Sequence, residues 1–430
     1  MIRRPPRSTH CISSAASDVY KRQVIILLVA GLLFYRVGFI GEKKEEKKEI
    51  YPPGEEKHDL QPLPPESFIT ASRRVVEPID EGAHFKSKLV VCREWWFFSV
   101  IFNSSMLKNW SLTVGFAHMA YGDIFGKLKP DLFLLSLTDD KGNSYGGIIN
   151  KDRLIKKTLS AGSPGVSLKF DNNWAEGSYP YWHVHIEDND LDAKHDIIVD
   201  LDFVANSLPL WTVMDRFKLE NMEKSNIAQY MVPSCSVIGT VILDGVSFDA
   251  SGIGYYEHSW TPFYIRRGLT PVMRLNGWDT FYVHFDNGWD MYLHKVYPAP
   301  QFISSKTPKL NFVGCIILSY NGGEKITEFR TFQMKTTGSE RKIMFVRMPT
   351  SFEISASKKF TILLEKVDLR LNLYIDLLGK CEKTWRFPSY IGMQTGLASV
   401  KGSISWFDGE KEVSIDLNGK ATFWSTRAAP

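Results

Sequence analysis

From Glu94 to the carboxy terminus the chain is written in short segments of alternating polarity, and that pattern constrains the fold more than any other feature. EWWFFSVIF, SLTVGFAHM, LFLLSL, YWHVHIED, DIIVDLDFV, CSVIGTVIL and VSFDASGIGYYEHSW are each bounded by Gly, Pro, Asn or Asp, the punctuation of strands and turns. FVGCIILSYN, KITEFRTFQM, SFEISA, FTILLEKVDLRLNLYI, GSISWF, EVSIDL and KATFWS continue it. Outside one amino-terminal apolar run no helical period is sustained; short helix candidates lie only at 153–157 and 211–218. Many short strands with a turn every roughly 8–12 residues make sandwiches or barrels. The expected class is all-β, and 430 residues call for two barrels in tandem. We place them at 68–262 and 263–430, because Pro262, Gly268 and Pro271 interrupt the strand pattern there.

An aromatic content of 13%, with 12 Trp and 27 Phe, suits strands and a cavity for an apolar ligand. The net charge of +4 is spread along the chain. No basic stripe interleaved with stacking aromatics is present, which argues against nucleic acid as a partner. Cys11, Cys92, Cys235, Cys315 and Cys381 are far apart and lack the spacing of zinc or redox sites, so neither a disulfide framework nor a cofactor is implied.

Residues 1–23 have no apolar period and resemble translated adaptor sequence, so they are set aside from fold reasoning. The run at 24–40, VIILLVAGLLFYRVGFI, is interrupted only by Arg36 and is close to the lower limit of about 17 residues for a spanning helix. We expect a transmembrane anchor or signal segment there. A charged and proline-containing linker follows at 41–67, a solvated spacer by composition. The expectation is a single-pass membrane protein whose globular part lies outside the cytoplasm.

The densest stretch of aromatics, histidines and carboxylates is 254–295. Asn287-Gly288 between alternating runs signals a hairpin with a two-residue turn. That turn would pair Asp286 with Trp289, His284 with Met291 and Tyr282 with Leu293, so Tyr282, His284, Asp286, Trp289 and Met291 would share a face. By the same period Tyr256, His258 and Trp260 share a face of their own strand. His183 and His185, with Glu187, also fall on one face; a solvated strand face is expected there rather than a metal. Glu94 and His118 belong to the barrel interior. A buried Glu94 needs a partner, for which Arg93, Arg266, Arg267 and Arg274 are candidates. Asn103-Ser104-Ser105 and Asn109-Trp110-Ser111 match the glycosylation triplet, which has a consequence only in an exported domain.

Glu94-Trp95-Trp96 followed by an aromatic, then Tyr256-Glu257-His258-Ser259-Trp260, then Gly277-Trp278-Asp279 leading into a Phe281-rich strand with Asp286-Asn287-Gly288, together resemble the AttH-domain family that includes carotenoid 1,2-hydratase, also called hydroxyneurosporene synthase. The closing run from Trp385 to Tyr390, then Gly396, Val400 and Gly402, is similar to that family's last strands. The resemblance spans most of the chain from Glu94 to Trp424. It implies two tandem lipocalin-like β-barrels, with a ligand cavity contributed mainly by the first. It also implies either hydration or cyclisation of an isoprenoid double bond, or lipid binding with no reaction. The family's His-x-Trp pair falls on His258 and Trp260. At its Tyr-x-Asp pair the place of Tyr is taken by His284, with Asp286 as the carboxylate.

Water addition to an isolated alkene generates a carbocation, so it needs a strong proton donor in a dry site. Asp286 or Asp279 is the candidate donor, although Asp286 is equally well explained as a turn cap. Trp260, Trp278 or Tyr282 offers a π face to the cation, and His258 or His284 a base for the water. The catalytic candidates are therefore His258, Trp260, His284 and Asp286. The ligand-lining candidates are Trp96, Tyr256, Trp278, Asp279, Tyr282 and Trp289. Binding of an apolar small molecule, an isoprenoid or another lipid, is the leading expectation; a hydratase or cyclase and a non-catalytic structural module are the alternatives.

Overall fold

The computed structural model describes residues 62–66, 75–84, 91–119, 131–149, 158–189, 194–214, 228–262, 275–298, 314–343, 346–362, 365–386, 390–407, 409 and 411–428. The segments expected at 1–23 and 24–40, most of the linker, the helix candidate at 153–157, and Arg266, Arg267 and Arg274 lie outside these residues. Among the described residues no helix is long and apolar enough to cross a membrane.

The described chain is nearly all strand, in two curled antiparallel sheets. The first holds β1 (Val91–Phe102), β2 (Ser111–Met119), β3 (Leu132–Thr138), β4 (Ser144–Ile149), β5 (Ser160–Ala161), β6 (Val166–Phe170), β7 (Asn173–Ser178), β8 (Tyr181–Asn189), β9 (Asp196–Ala205), β10 (Leu210–Met214), β11 (Ala228–Leu243) and β12 (Val246–Pro262). Their order is β4-β3-β2-β1-β12-β11-β9-β8-β7-β6-β5, with β10 on β11. The second holds β13 (Leu275–Phe285), β14 (Asp290–Pro298), β15 (Gly314–Tyr320), β16 (Lys325–Phe329), β17 (Phe332–Ile343), β18 (Val346–Ile362), β19 (Glu365–Arg386), β20 (Tyr390–Phe407) and β21 (Glu412–Ala428). Among the described residues neither sheet closes on itself by hydrogen bonds, so each is a half-barrel rather than the sealed barrel the strand count suggests. Leu210 to Met214, at the start of the helix candidate 211–218, is strand; Trp211 turns into the core, and burial of that side chain outweighs a weak helical pattern.

Each half-barrel curls around its own core. Trp96, Phe98, Val100, Trp182, Phe203, Tyr230 and Tyr256 belong to the first core, and Phe133 of β3 meets Phe170 of β6 across it at 5.7 Å. Phe281, Leu293, Phe352, Leu371 and Phe423 belong to the second. The half-barrels also pack back to back. Ser99 Oγ is 2.9 Å from Thr422 Oγ1, Thr395 donates to Ser136 at 2.7 Å, and Met231, Tyr255, Tyr282, Tyr292 and Ile317 form an apolar seam. This explains why EWWFFSVIF reads as a nearly unbroken apolar run. From Glu94 onward the even-numbered residues of β1 face the first core and the odd-numbered ones face the other sheet, so both faces of this part of the strand are buried. By contrast β8 and β9 have one covered face, and their burial alternates strictly over His183–Ile186 and Ile197–Phe203.

The hairpin at Asn287-Gly288 forms, but one residue out of the expected register. Phe285 N–H donates to Trp289 O at 2.8 Å, Gly288 N–H donates to Phe285 O at 2.9 Å, and of Asn287 and Gly288 only Gly288 has a positive φ, 79°. The loop is thus Asp286-Asn287-Gly288, a type I turn closed by a left-handed glycine. His284 pairs with Asp290, Val283 with Met291 and Tyr282 with Tyr292. A slip of one exchanges the faces of β14: Trp289 and Met291 join the second core with Phe281 and Val283, while Tyr282 and Tyr292 turn to the seam. Gly288→Ala adds a Cβ in open space, so its cost is purely that of the backbone, about 1–2 kcal/mol. Urea denaturation reads this directly, and a loss indistinguishable from zero contradicts the turn.

Candidate functional site

The site is laid down by register. Across β2, β1, β12 and β11 one row reads Phe116, Trp96, His258, Tyr230, and its neighbour reads His118, Glu94, Trp260, Ala228. Alternation sends the side chains of Phe116, Trp96, His258, Tyr230, His118, Glu94 and Trp260 into the first half-barrel, where Tyr256 and Trp260 join Trp96 in the core. His258 and Glu94 are fully buried.

A strap, residues 75–84, crosses the mouth of this half-barrel and carries a one-turn helix α1 (Pro78–Glu81). Gly165 N–H donates to Pro78 O at 2.6 Å and Ala83 N–H to Gly162 O at 2.7 Å. Two indoles reach up from below: Trp96 Nε1 donates to Glu81 O at 3.0 Å, and Trp211 Nε1 to Val75 O at 3.1 Å. Gly82 lets the strap settle, since a Cβ there would come within 2.2 Å of Ser163 Oγ. The strap thereby delivers Glu81, His84 and the carbonyl of Asp80 to the aromatic interior.

Two carboxyl groups in this site are driven in opposite directions. Burial pushes Glu81 up to about 7, despite hydrogen bonds donated by Trp182 Nε1 at 2.9 Å, Tyr179 N at 2.8 Å and Tyr230 OH at 3.2 Å. The Tyr230 hydroxyl is also 3.2 Å from that of Tyr256, so Glu81 ends a short chain of phenols. Glu94 is just as buried, but donors outweigh desolvation and hold it down at about 2. His84 N–H donates to both of its oxygens, at 2.8 and 3.0 Å, and His84 Nδ1 and His258 Nε2 lie 2.9 and 3.0 Å from Oε1. Burial lowers His258 below the ordinary histidine range, with Glu94 opposing it. His258 Nδ1 is 2.9 Å from Asp80 O. Its ring stacks on Trp96 at 4.6 Å, and His84 stacks on Trp260 at 3.8 Å.

Among the described residues Glu94 meets His258 of β12 and His84 of the strap; the side chains of the arginines expected for it lie outside the described residues. Of the candidates named from the sequence, the structure brings together His258, Trp260, Trp96 and Tyr256. It does not bring the others to them. Asp286 is exposed at the hairpin tip, its N–H donating to Asn418 O at 2.8 Å. His284 pairs instead with Asp290, Nδ1 to Oδ1 at 2.7 Å. Asp279 is buried and neutralised by Arg427, which donates to both oxygens at 2.9 and 2.8 Å, with Tyr297 OH at 2.6 Å. Trp278 packs edge-on against Trp424, and Trp289 against Tyr320 in the second core. Tyr282 donates to Glu257 at 3.1 Å in the seam, where Trp95 and Tyr255 donate to the same carboxylate at 2.8 Å. Glu81, His84, Tyr230 and Trp182 were not among the candidates. His118 faces the interior beside Asp131, 3.1 Å away, and His183 and His185 lie on the solvated outer face, paired with Asp202 and Asp200 at 2.7 and 2.9 Å.

No protein-family model and no curated protein matches the sequence. Solved structures do match the fold. One is an AttH-assigned protein from Nitrosomonas europaea, 14% identical with a TM-score of 0.54, over 84% of this chain and 98% of its own. Another is kievitone hydratase from Nectria haematococca, 10% identical with a TM-score of 0.50, over 82% of this chain and 97% of its own. The chain therefore has the lipocalin-like fold of AttH-domain proteins, and the resemblance drawn from its motifs holds at the level of fold.

Proposed function

We propose that the mouth of the first half-barrel is an acid–base site that binds an apolar unsaturated small molecule and adds water across its carbon–carbon double bond. One observation carries this reading: a buried carboxyl raised to about 7 shares an aromatic chamber with a carboxylate–imidazole pair. Two titratable groups forced apart by their surroundings are the mark of an acid and a base at work. Protonated Glu81 gives its proton to one alkene carbon, and the cation that forms on the other is held against the faces of Trp96 or Trp260. Water attacks that carbon, and its surplus proton passes to His258, where Glu94 stabilises the imidazolium. Tyr230 and Tyr256 offer the route by which a proton returns to Glu81, so the balance is one water consumed and one alcohol formed. The hydratase among the proteins of this fold supports the class of reaction.

A second reading, binding without chemistry, rests on the same apolar lining, and either reading needs the strap to yield to the ligand. Complete filling of the chamber by its own side chains, Trp96, Trp182 and Tyr256 among them, favours instead a non-catalytic structural module. The apolar run at 24–40 supports a membrane tether. The test is incubation of the full chain with terminal-alkene isoprenoids in ¹⁸O-water, followed by mass spectrometry of products and of retained ligand. An ¹⁸O-labelled alcohol is the expected product. Retained ligand without label selects the binding reading, and neither label nor retained apolar species sinks both.

A further inference from the structure

We propose that His84, Glu94 and His258 bind a divalent cation of the zinc class, and that the bound ion clamps the strap 75–84 shut over the barrel mouth. The clamp's effect on the site rests on the functional reading above; the ion's binding does not.

The donor set is two imidazoles and one carboxylate, each offering one atom, all within 4.8 Å of one another. Such a set suits zinc and its first-row neighbours and leaves a fourth position open. The three residues come from the strap, β1 and β12, so an ion there joins β12 to two elements that lie far earlier in the chain. His258 is already oriented as a ligand: its Nδ1 lies 2.9 Å from Asp80 O, the outer contact that fixes the tautomer of metal-bound histidines.

The strongest indication is the setting of the His258 ring. Both ring nitrogens of His258 face oxygens that accept, a peptide carbonyl on one side and the Glu94 carboxylate on the other. A neutral imidazole has one N–H, so it satisfies one contact and sets a lone pair against the other. Making both good takes a second proton or a cation between Nε2 and Oε1. In a tetrahedral site with bonds of about 2.0 Å, neighbouring ligand atoms sit about 3.3 Å apart. Here Glu94 Oε1 is 2.9 and 3.0 Å from the two imidazole nitrogens, so an ion requires those edges to open by a few tenths of an ångström. His84 is 20% exposed while its two partners are fully buried, which supplies a path inward from the rim.

The outer-face histidines make a contrast. His183 Nδ1 and Nε2 lie 2.7 and 3.2 Å from Asp202 and Asp200, His185 Nδ1 lies 2.9 Å from Asp200, and both rings stack on Trp174. There the carboxylates are half-exposed and the rings are open to solvent, unlike the closed set in the chamber.

The experiment titrates the chelator-treated full chain with Co²⁺ alone and follows its visible ligand-field bands, with Zn²⁺ as competitor. One Co²⁺ per chain is expected. His84→Ala should weaken it at least about tenfold, while His183→Ala/His185→Ala should leave it unchanged. If His84→Ala does not fold by circular dichroism, electron paramagnetic resonance of Cu²⁺ in the His183→Ala/His185→Ala protein decides, two imidazole nitrogens being expected. Zn²⁺ should also slow uptake of an apolar dye. No saturable Co²⁺ binding, or binding lost with the outer histidines and kept without His84, overturns the site; unchanged dye uptake with the ion bound overturns the clamp. An assay in ¹⁸O-water that yields nothing leaves the Co²⁺ stoichiometry standing, and a chain that takes no Co²⁺ leaves the ¹⁸O result standing.

Discussion

Glu94→Ala is expected to remove about 3–5 kcal/mol of folding free energy, read from the urea midpoint at pH 7. The side chain is fully buried and receives the backbone N–H and ring of His84 and the ring of His258. Truncating it leaves those donors in a chamber of Trp96 and Trp260 with no acceptor, and it unties the strap from β1. Glu94→Gln keeps one acceptor and should cost markedly less. The wild type also carries a signature that alanine erases. Glu94 is held at about 2 in the folded state against 4.5 as its ordinary value, so its contribution is present above pH 4.5 and is lost as pH falls from there to about 2. A shift of that size is worth about 3 kcal/mol. An acid limb of the same depth in the wild type and in Glu94→Ala means that the carboxylate is not held this way.

Much of the fold is legible from alternation, because a strand with one wet face must alternate. Even where both faces are buried, parity assigned Tyr256, His258 and Trp260 correctly to one side, since a period of two does not depend on what covers the strand. Register is harder. Asn287-Gly288 announces a hairpin equally well with a two-residue or a three-residue loop, and the choice decides whether Trp289 lines a seam or fills a core. Asp279 illustrates a second limit: its partner Arg427 arrives through the pairing of β13 with β21, and no local pattern connects them. Glu81 and His84 were missed for a third reason. They sit in a strap without strand period, where only the short run Glu77-Pro78-Ile79-Asp80-Glu81 hints at a capped helical turn, and nothing local says that this turn plugs a barrel. Conversely, Asp286 drew attention by lying beside histidine and aromatics, although a turn alone explains an aspartate there.

Glu81→Gln is expected to lower the rate of alkene hydration by about 10²–10⁴-fold, the usual contribution of a positioned general acid. The amide keeps an acceptor for Trp182 Nε1 and Tyr230 OH but has no proton of comparable acidity to give. Its –NH₂ also turns a donor towards Tyr179 N–H, whose bond to Glu81 Oε2 at 2.8 Å is lost, so some stability is lost as well, about 1–3 kcal/mol. Two pH profiles separate acid catalysis from this structural cost. In the wild type the rate should fall as pH rises through about 7, where Glu81 loses its proton, and the residual rate of Glu81→Gln should lack that limb. Stability follows the same group with the sign fixed by its raised value. The folded state binds the proton more tightly than the unfolded chain, so the contribution is complete below pH 4.5 and is lost as pH rises to about 7. Glu81→Gln should therefore flatten the neutral limb of the stability curve while leaving the acid limb of Glu94 in place. A variant that turns over within a few-fold of the wild type, with its rate still falling near pH 7, removes Glu81 as the acid and leaves the chamber to the binding reading.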